Sequence, residues 1–303
     1  MLLVVLGHTM YFCIWHEQPF TDPLFNAICT FHVPLFFFLS GFVISHPPTP
    51  RKFLGKARRF LVPMLVVGLI NALLIDKVHD FFFNGGHNGY WYLLTLTIFY
   101  FLLIPFRLLG QKKGMRYFFF DSLLSIGIWL LLTLFSRISD LVLDALNIWG
   151  AFLFWPYFII GYQCRKYSLT NSIKNKPLIT TVLVVLYLIM LVVFFPEIDH
   201  LPLVIEYFIA LLAIAALMAL FYHFSDSHTF IDRQLLLIGN STLEIYIFHY
   251  FFIRFIDLSV LQNVSRFTEY AIIVPLTIAI VYGTIGIGRI WNNYLRRILR
   301  CSI

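Results

Sequence analysis

Apolar residues fill this chain in long stretches that short polar segments separate. A helix needs about 20 mostly apolar residues to span a bilayer. Ten stretches approach that length: residues 1–14, 31–45, 60–75, 90–109, 117–135, 148–163, 178–195, 202–222, 235–254 and 270–291. The pattern predicts an all-α polytopic membrane helix bundle of about ten transmembrane helices, forming a single integral membrane domain over residues 1–303.

The overall composition supports the same class. Hydrophobic residues make up 60% of the 303 positions and charged residues 12%, with a mean hydropathy of +0.84. A soluble core of this size could not bury so much apolar surface, so the chain belongs in a bilayer.

The distribution of positive charge predicts the orientation. If the first helix begins in the cytoplasm, 18 of the 22 Lys and Arg residues fall on the cytoplasmic side. This asymmetry is expected of a multi-pass protein of the bacterial cytoplasmic (inner) membrane with both termini in the cytoplasm. The net charge of +7 then reflects topology and contact with anionic membrane lipid, and gives no support for a nucleic-acid partner.

The first apolar stretch is only 14 residues long and begins directly at Met1. No basic residues precede it and no small-residue cleavage site follows it, so the sequence does not predict a signal peptide. Because about 20 residues are needed to span, we expect a start placed too late or a truncated gene product.

The four cysteines do not form a metal-ligand spacing. Cys13 and Cys29 fall near the same outer loop, so they either form a disulfide or remain separate thiols. The second interpretation is favoured because free cysteine usually behaves as a small apolar residue.

Two histidines interrupt the first two apolar stretches. His8 follows LVVLG and His32 precedes VPLFFFLSGF, and both are predicted at similar depth in the outer half of the bilayer. Ionisable groups inside a membrane are expensive and often functional, although either histidine alone could simply bond to a neighbouring helix. A neutral imidazole at this place could act as a general base, which makes both residues candidate catalytic groups.

A second cluster lies in the ninth predicted helix. Glu244 is the only carboxylate in the middle of a predicted span. Tyr246 and His249 follow it, and His249 falls in the outer half of the bilayer, level with His8 and His32. Five residues correspond to about 140° around a helix, so Glu244 and His249 should contact different neighbours. Glu244 is either a catalytic carboxylate or a structural one bonded to another helix, and Tyr246 and His249 are candidate substrate-binding residues.

Aromatic and acidic residues accumulate at the predicted outer face. Trp91 lies in HNGYWY at the mouth of the fourth predicted helix, where it is either part of an interfacial aromatic belt or a platform for a sugar ring. The outer loops also carry carboxylates: Glu17, Asp22, Asp76, Asp80, Asp140, Asp144, Glu197 and Asp199.

A basic loop at residues 51–60 is predicted on the cytoplasmic face. Positive-inside bias alone can explain it. Lys56, Arg58 and Arg59 would also suit the phosphates of a polyanionic cytosolic ligand, because guanidinium groups match phosphate oxygens.

Several common catalytic motifs do not occur in this sequence. It has no G-x-S-x-G elbow, P-loop, G-x-G-x-x-G after a strand or H-E-x-x-H. Hydrolase, nucleotide-hydrolysing, dinucleotide-binding and zinc-protease functions therefore lack sequence support.

Five segments together resemble the acyltransferase 3 family of bacterial membrane proteins, which includes glycan O-acetyltransferases. They are LLVVLGHT, FHVPLFFFLSGF, KxRRFLVP from Lys56, GYWYLLTL and STLEIYIFHYFF. The resemblance implies transfer of an acyl group, usually acetyl, from cytosolic acyl-CoA to a hydroxyl of an extracytoplasmic or lipid-linked glycan, with no metal. It also implies that His8 is catalytic and that the basic stretch holds the CoA phosphates. The family's arginine about ten residues before this histidine is not present in the sequence.

These observations lead to one mechanistic hypothesis. His8 takes the proton from the acceptor hydroxyl, with Glu244 or His32 orienting its imidazole, and a single tunnel joins the basic inner face to the outer histidines. An acyl-histidine intermediate remains open. A proton-coupled transporter or a glycan flippase is the alternative, because proton relays also use buried His and Glu. A family member that has lost activity and serves as a membrane partner is a third possibility.

Overall fold

The computed structural model describes residues 1–14, 22–110, 112–138, 140–172, 176–194, 201–224 and 229–301. The described residues form α-helices joined by short π and 3₁₀ turns, and they contain no β-strand. The helices are α1 (Leu2–Thr9), α2 (Pro23–Phe42), α3 (Pro50–Leu74), α4 (Val78–Phe83), α5 (Trp91–Leu102), α6 (Met115–Ser136), α7 (Leu141–Ala145), α8 (Ile148–Tyr167), α9 (Pro177–Phe194), α10 (Leu203–Phe224), α11 (Phe230–Asn240), α12 (Thr242–Ile253) and α13 (Arg266–Cys301). The predicted all-α polytopic bundle is confirmed, and each of the ten predicted segments falls on a helix.

Seven helices of the described ranges are long and apolar enough to cross a membrane. They are α2, α3, α6, α9, α10, α13 and α5 with its extension to Leu108. Helices α11 and α12 make an eighth span if the pair is counted as one, and α1 with its π-helical extension to Ile14 is a shorter apolar helix. Helix α8 is not among these spans, and about half of its residues are buried.

Helix α2 begins eight residues earlier than predicted. Asp22 accepts hydrogen bonds from the backbone N–H of Phe25 (2.8 Å, side chain) and of Asn26 (3.0 Å, main-chain carbonyl), and Pro23 takes the first helical position. An acidic cap followed by proline stabilises a helix start. His32 therefore lies in the middle of α2, and the predicted span 31–45, which put His32 at the start of the helix, begins too late.

The basic segment 51–60 is helical and is not the predicted loop. Thr49 caps α3 by accepting a hydrogen bond from the backbone N–H of Lys52 (3.1 Å), and Pro50 starts the helix. The hydrophobic pattern missed this start because charged residues fill the first turns.

The ninth predicted span is broken. Helices α11 and α12 meet at an angle of 80° around Ser241. Gly239, Asn240 and Ser241 are weak helix formers in succession. Glu244 consequently lies in the first turn of α12, next to the break, and its position in the middle of a membrane span stays a prediction that depends on whether the bent pair crosses.

The chain divides into two compact units. The first consists of Met1–His32, Leu186–Ile209 and Phe224–Ile303, and the second of Val33–Val185 and Ala210–His223. The single domain over residues 1–303 stays a prediction.

The first unit has a core of aliphatic side chains from the N-terminal helices and from α11 to α13. Fully buried Val5 and Met10 belong to it, together with Ile245 of α12 and Val281 of α13. Cys13 is also buried there, and its thiol donates to the carbonyl oxygen of Ile253 (3.4 Å). Cys13 and Cys29 remain thiols, so the disulfide is not formed.

The second unit contains a close helix crossing. A Cβ added to Gly41 would lie 1.9 Å from the carbonyl oxygen of Phe158, and one added to Gly161 would lie 2.0 Å from that of Phe38. Because the contacts are with backbone atoms, α2 and α8 approach each other as closely as glycine permits at this crossing.

Candidate active site

The first unit brings two histidines from distant parts of the sequence into contact. His8 Nδ1 lies 2.9 Å from His249 Nε2, and the two rings are nearly parallel with centroids 5.2 Å apart. His8 lies in the last turn of α1, and a π-helical turn, Met10–Ile14, follows that helix directly. His249 lies in the second half of α12 and is completely buried.

Hydrogen bonding fixes which nitrogen carries each proton when both rings are neutral. His249 Nδ1 lies 2.9 Å from the carbonyl oxygen of Ile245, and because a carbonyl can only accept, Nδ1 is the protonated nitrogen. His249 Nε2 is then the acceptor of the contact with His8, so His8 Nδ1 is the donor. His8 Nε2 is left unprotonated and is the basic atom of the site.

Aromatic rings surround the pair. The ring of Tyr250 lies 5.2 Å from that of His8 and 4.2 Å from that of His249, and Phe12 contacts His8 edge-on at 5.9 Å. The Arg254 guanidinium lies 5.5 Å from the Tyr250 ring centre. These rings hold both imidazoles in a largely apolar setting, where polar interactions are stronger than in water.

His32 belongs to the same unit, but its hydrogen bond is with a residue of its own helix. Its Nδ1 donates to the carbonyl oxygen of Ile28 (2.8 Å), which orients its ring along α2. It is near enough to His8 for an electrostatic interaction between their charged forms. No hydrogen bond joins His32 to His8 in the described part of the chain, and its catalytic role stays a prediction.

Glu244 faces another helix. Its Cβ and Cγ lie against Gly288 of α13, so closely that a Cβ there would be 2.5 Å from either atom. His249, five residues later, contacts α1, as the predicted 140° separation requires. Among the described contacts, the partner of His8 is thus His249, while the sequence favoured Glu244 or His32. The catalytic role of Glu244 stays a prediction.

The predicted substrate-binding residues do not lie together in one unit. Tyr246 is buried in the first unit, with its ring 6.1 Å from that of His249. Trp91 belongs to the second unit, where it opens α5 and stacks on Phe154 at 5.4 Å. The described neighbours of Trp91 support a packing role, and its contact with a sugar stays a prediction.

The predicted donor-binding residues lie on the exposed first turns of α3. Lys56 Nζ lies 3.5 Å from the Tyr100 hydroxyl and 4.7 Å from its ring centre, with Arg59 near enough to interact electrostatically. Arg58 is two residues from Lys56, hence about 200° around the helix. Residues three apart, such as Lys56 and Arg59, are neighbours on the helix surface, whereas adjacent residues such as Arg58 and Arg59 are not. Lys56 and Arg59 can therefore act on one ligand more readily.

Three of the predicted outer carboxylates, Glu17, Glu197 and Asp199, lie outside the described residues. Within the described ranges, no group of three His, Cys, Asp or Glu side chains could hold a metal ion.

The comparisons with known proteins identify the family of this chain. A family model described as an acyltransferase domain matches residues 1–286. The chain belongs to the acyltransferase 3 family. No curated protein and no solved structure matches it. Since the match covers nearly the whole chain, the predicted family is confirmed and the protein is a membrane acyltransferase.

Two features of this family member were not found from its sequence. The pairing of His8 with His249 joins residues 241 positions apart, and only their common predicted depth pointed to it. Tyr250, which contacts both rings, directly follows His249 and could have been found from that adjacency.

Proposed function

We propose that this acyltransferase moves an acetyl group from cytosolic acetyl-CoA to a hydroxyl of an extracytoplasmic or lipid-linked glycan. The proposal covers O-acetylation of a polysaccharide or its precursor in the bacterial inner membrane. The observation that carries it is the proton order of the histidine pair, which leaves His8 Nε2 as a base beside apolar rings.

Each atom of the transfer can be followed. His8 Nε2 accepts the proton of the acceptor hydroxyl, and the resulting oxygen attacks the thioester carbonyl carbon. The carbon–sulfur bond then breaks, the acetyl ester forms, and the CoA sulfur takes the proton back from His8. During the step His249 continues to accept from His8 Nδ1–H, which orients the imidazole and stabilises its positive charge.

The exposed cations of α3 support the choice of donor. Lys56 and Arg59 are exposed at the helix end that the charge pattern predicts to be cytoplasmic. Phosphate oxygens are suited to both side chains, because an arginine fork and a lysine ammonium each form charge-assisted hydrogen bonds.

Label transfer tests this function. Purified protein in lipid nanodiscs receives acetyl-CoA labelled in the acetyl group, together with oligosaccharides isolated as lipid-linked intermediates from bacterial membranes, and label in the saccharide is measured. We expect transfer by the unchanged protein and a loss of about 10²- to 10⁴-fold in His8→Ala, the usual contribution of a general base.

His46→Ala is the matched control, because His46 is an exposed histidine outside the pair. It should transfer label at the unchanged rate. Undiminished transfer by His8→Ala would exclude this imidazole from the chemistry. Transfer of the labelled acetyl group from CoA to other thiols, without any acetylated saccharide, would exclude the glycan as acceptor.

A further inference from the structure

The second unit contains a cavity of about 500 Å³ that the histidine chemistry does not use. Two segments form its walls, one running from α4 toward α5 and the other from α7 into α8. Its lining includes the polar residues His79, Asp80, Asn84, Asp144 and Asn147 and the aromatic residue Trp149. The volume falls within the range of about 300–1,000 Å³ that is typical of ligand pockets.

The walls are held by specific contacts. Gly85 lies so close to the second segment that a Cβ there would be 2.7 Å from the Asp144 carbonyl oxygen. Asn147 adopts a left-handed backbone (φ 50°), accepts from the Gly150 N–H (3.2 Å) and donates to Thr95 Oγ1 (3.0 Å). Asn84 accepts from the Gly86 N–H (2.9 Å). The cavity is therefore built into the fold, and a ligand needs to order little of it.

The lining combines the groups that saccharides require. Trp149 leaves 57% of its surface exposed at the rim, and such a flat apolar face can cover the C–H face of a sugar ring. The carboxylates, the amide groups and the imidazole can bond to several hydroxyl groups at once. An interfacial aromatic belt would explain Trp149 alone, but it would not explain two acidic residues lining the same cavity.

The charge of the lining selects among saccharides. Asp80 and Asp144 are the acidic residues of the lining, and His79 Nδ1 lies 3.9 Å from Asp80 Oδ1. These acidic residues would repel a sugar that carries a carboxylate or a sulfate. A hydroxyl group would instead find hydrogen-bond acceptors, and an ammonium group would find acceptors of opposite charge.

We propose that this cavity binds a neutral or amine-bearing saccharide, and that it is the recognition site for the glycan acceptor. The second half of this inference rests on the proposed function, while saccharide binding itself does not. The charge pattern of the chain places both wall segments on the face opposite the cytoplasm, which is where an extracytoplasmic glycan would be found.

Binding measured without turnover tests the site. His8→Ala protein in nanodiscs is titrated separately with hexamers of glucose, glucosamine and galacturonic acid, and binding is followed by calorimetry and by tryptophan fluorescence. We expect the first two to bind and the acidic hexamer to bind at least about tenfold more weakly, as repulsion by two acidic residues in the lining would cause.

Variants locate the binding. Trp149→Ala and Asp144→Asn should each weaken binding of the glucosamine hexamer about tenfold, by losing ring stacking and a charged acceptor. Phe255→Ala and Asp76→Asn are the matched controls, because both residues are exposed and outside this lining. They should bind as the unchanged protein does. Thermal unfolding of each variant verifies that it is folded.

The outcomes separate the two proposals. Unchanged affinity in Trp149→Ala and Asp144→Asn, strongest binding of the acidic hexamer, or binding of none of the three hexamers overturns the saccharide site. Saccharide binding that depends on Trp149, in a protein that never transfers acetyl label, upholds the site and overturns the proposed function. If acetyl transfer is observed and the KM for the acceptor is the same in Trp149→Ala as in the unchanged protein, the cavity is not the recognition site for the acceptor, while the proposed function stands.

Discussion

The proposed mechanism gives His249 a positioning role that can be tested. It accepts the proton of His8 Nδ1, so replacing it with leucine should leave His8 able to rotate and its protonated form without a partner. We expect His249→Leu to lower kcat for acetyl transfer about 10²-fold with little effect on the acceptor KM. His249→Gln should recover part of this loss, because its amide oxygen can accept the same hydrogen bond.

A purely structural role predicts another result. Removing a buried ring would then lower the melting temperature of His249→Leu and His249→Gln alike, with activity following stability. Equal activity in the two variants, at equal folded fractions, would contradict the proton order derived for the pair. Size-exclusion chromatography in detergent gives the folded fraction of each preparation.

Single residues were easier to find from the sequence than their partners. His8, His32 and Glu244 stood out because ionisable groups are rare in apolar stretches. The buried ion pair of Asp121 and Lys166 (2.6 Å) was not predicted, although Asp121 lies inside a predicted span. Both charges were visible, but a pairing across 45 residues depends on how α6 packs on α8, and hydropathy contains no such information.

The crossing of α2 and α8 predicts a strong effect of one methyl group. A Cβ on Gly161 would collide with the Phe38 carbonyl oxygen, and a backbone atom cannot move aside as a flexible side chain can. We expect Gly161→Ala and Gly41→Ala each to destabilise the folded protein by about 1–3 kcal/mol or more, the usual cost of overpacking. Thermal unfolding in one detergent, followed by tryptophan fluorescence, measures the shift.

Gly127→Ala is the control for this crossing. Gly127 lies inside α6, and nothing stands within 4 Å of the position of its added Cβ. Because alanine has a higher helix propensity than glycine, the melting temperature of Gly127→Ala should equal or exceed that of the unchanged protein. Equal melting temperatures for all three variants would mean that α2 and α8 are not in backbone contact.

Helices were predictable as elements, while their ends and breaks were not. Hydropathy detects a segment by its apolar residues, so it located all ten segments but missed the capped start at Asp22 and the charged first turns of α3. The break at Ser241 had a local signal in Gly239 and Asn240, but apolar residues on both sides concealed it. Helix caps and bends depend on hydrogen bonds of the backbone at particular residues, and hydropathy averaged over a segment does not detect them.

The division of the molecule into units could not be inferred from the sequence. Each unit is assembled from separated stretches of chain, and composition does not change at their borders. Charge, in contrast, predicts a property of the entire chain, because each Lys or Arg biases its loop toward the cytoplasm independently of packing. Orientation is therefore the prediction that the sequence supports most directly for the molecule as a whole.

The bent pair of α11 and α12 makes this orientation testable. If the pair crosses the membrane, Arg254 and Arg266 lie outside, and the four arginines after residue 288 lie in the cytoplasm. If the pair enters and leaves on one side, those four arginines are placed outside. At about 1 kcal/mol per cation near an anionic cytoplasmic surface, the charges favour the crossing.

Single cysteines decide between these two paths. In a variant without its four native cysteines, reporters are placed at exposed Leu108, Leu141 and Val260, and intact cells are treated with a membrane-impermeant maleimide. We expect labelling at Leu141→Cys and Val260→Cys, and labelling at Leu108→Cys only after permeabilisation. Leu141 and Val260 are separated by four predicted spans, so they share a side only when the 80° pair crosses. Labelling at Leu141→Cys without labelling at Val260→Cys would identify α11 and α12 as a re-entrant pair, while labelling at Leu108→Cys alone would reverse the orientation of the whole chain.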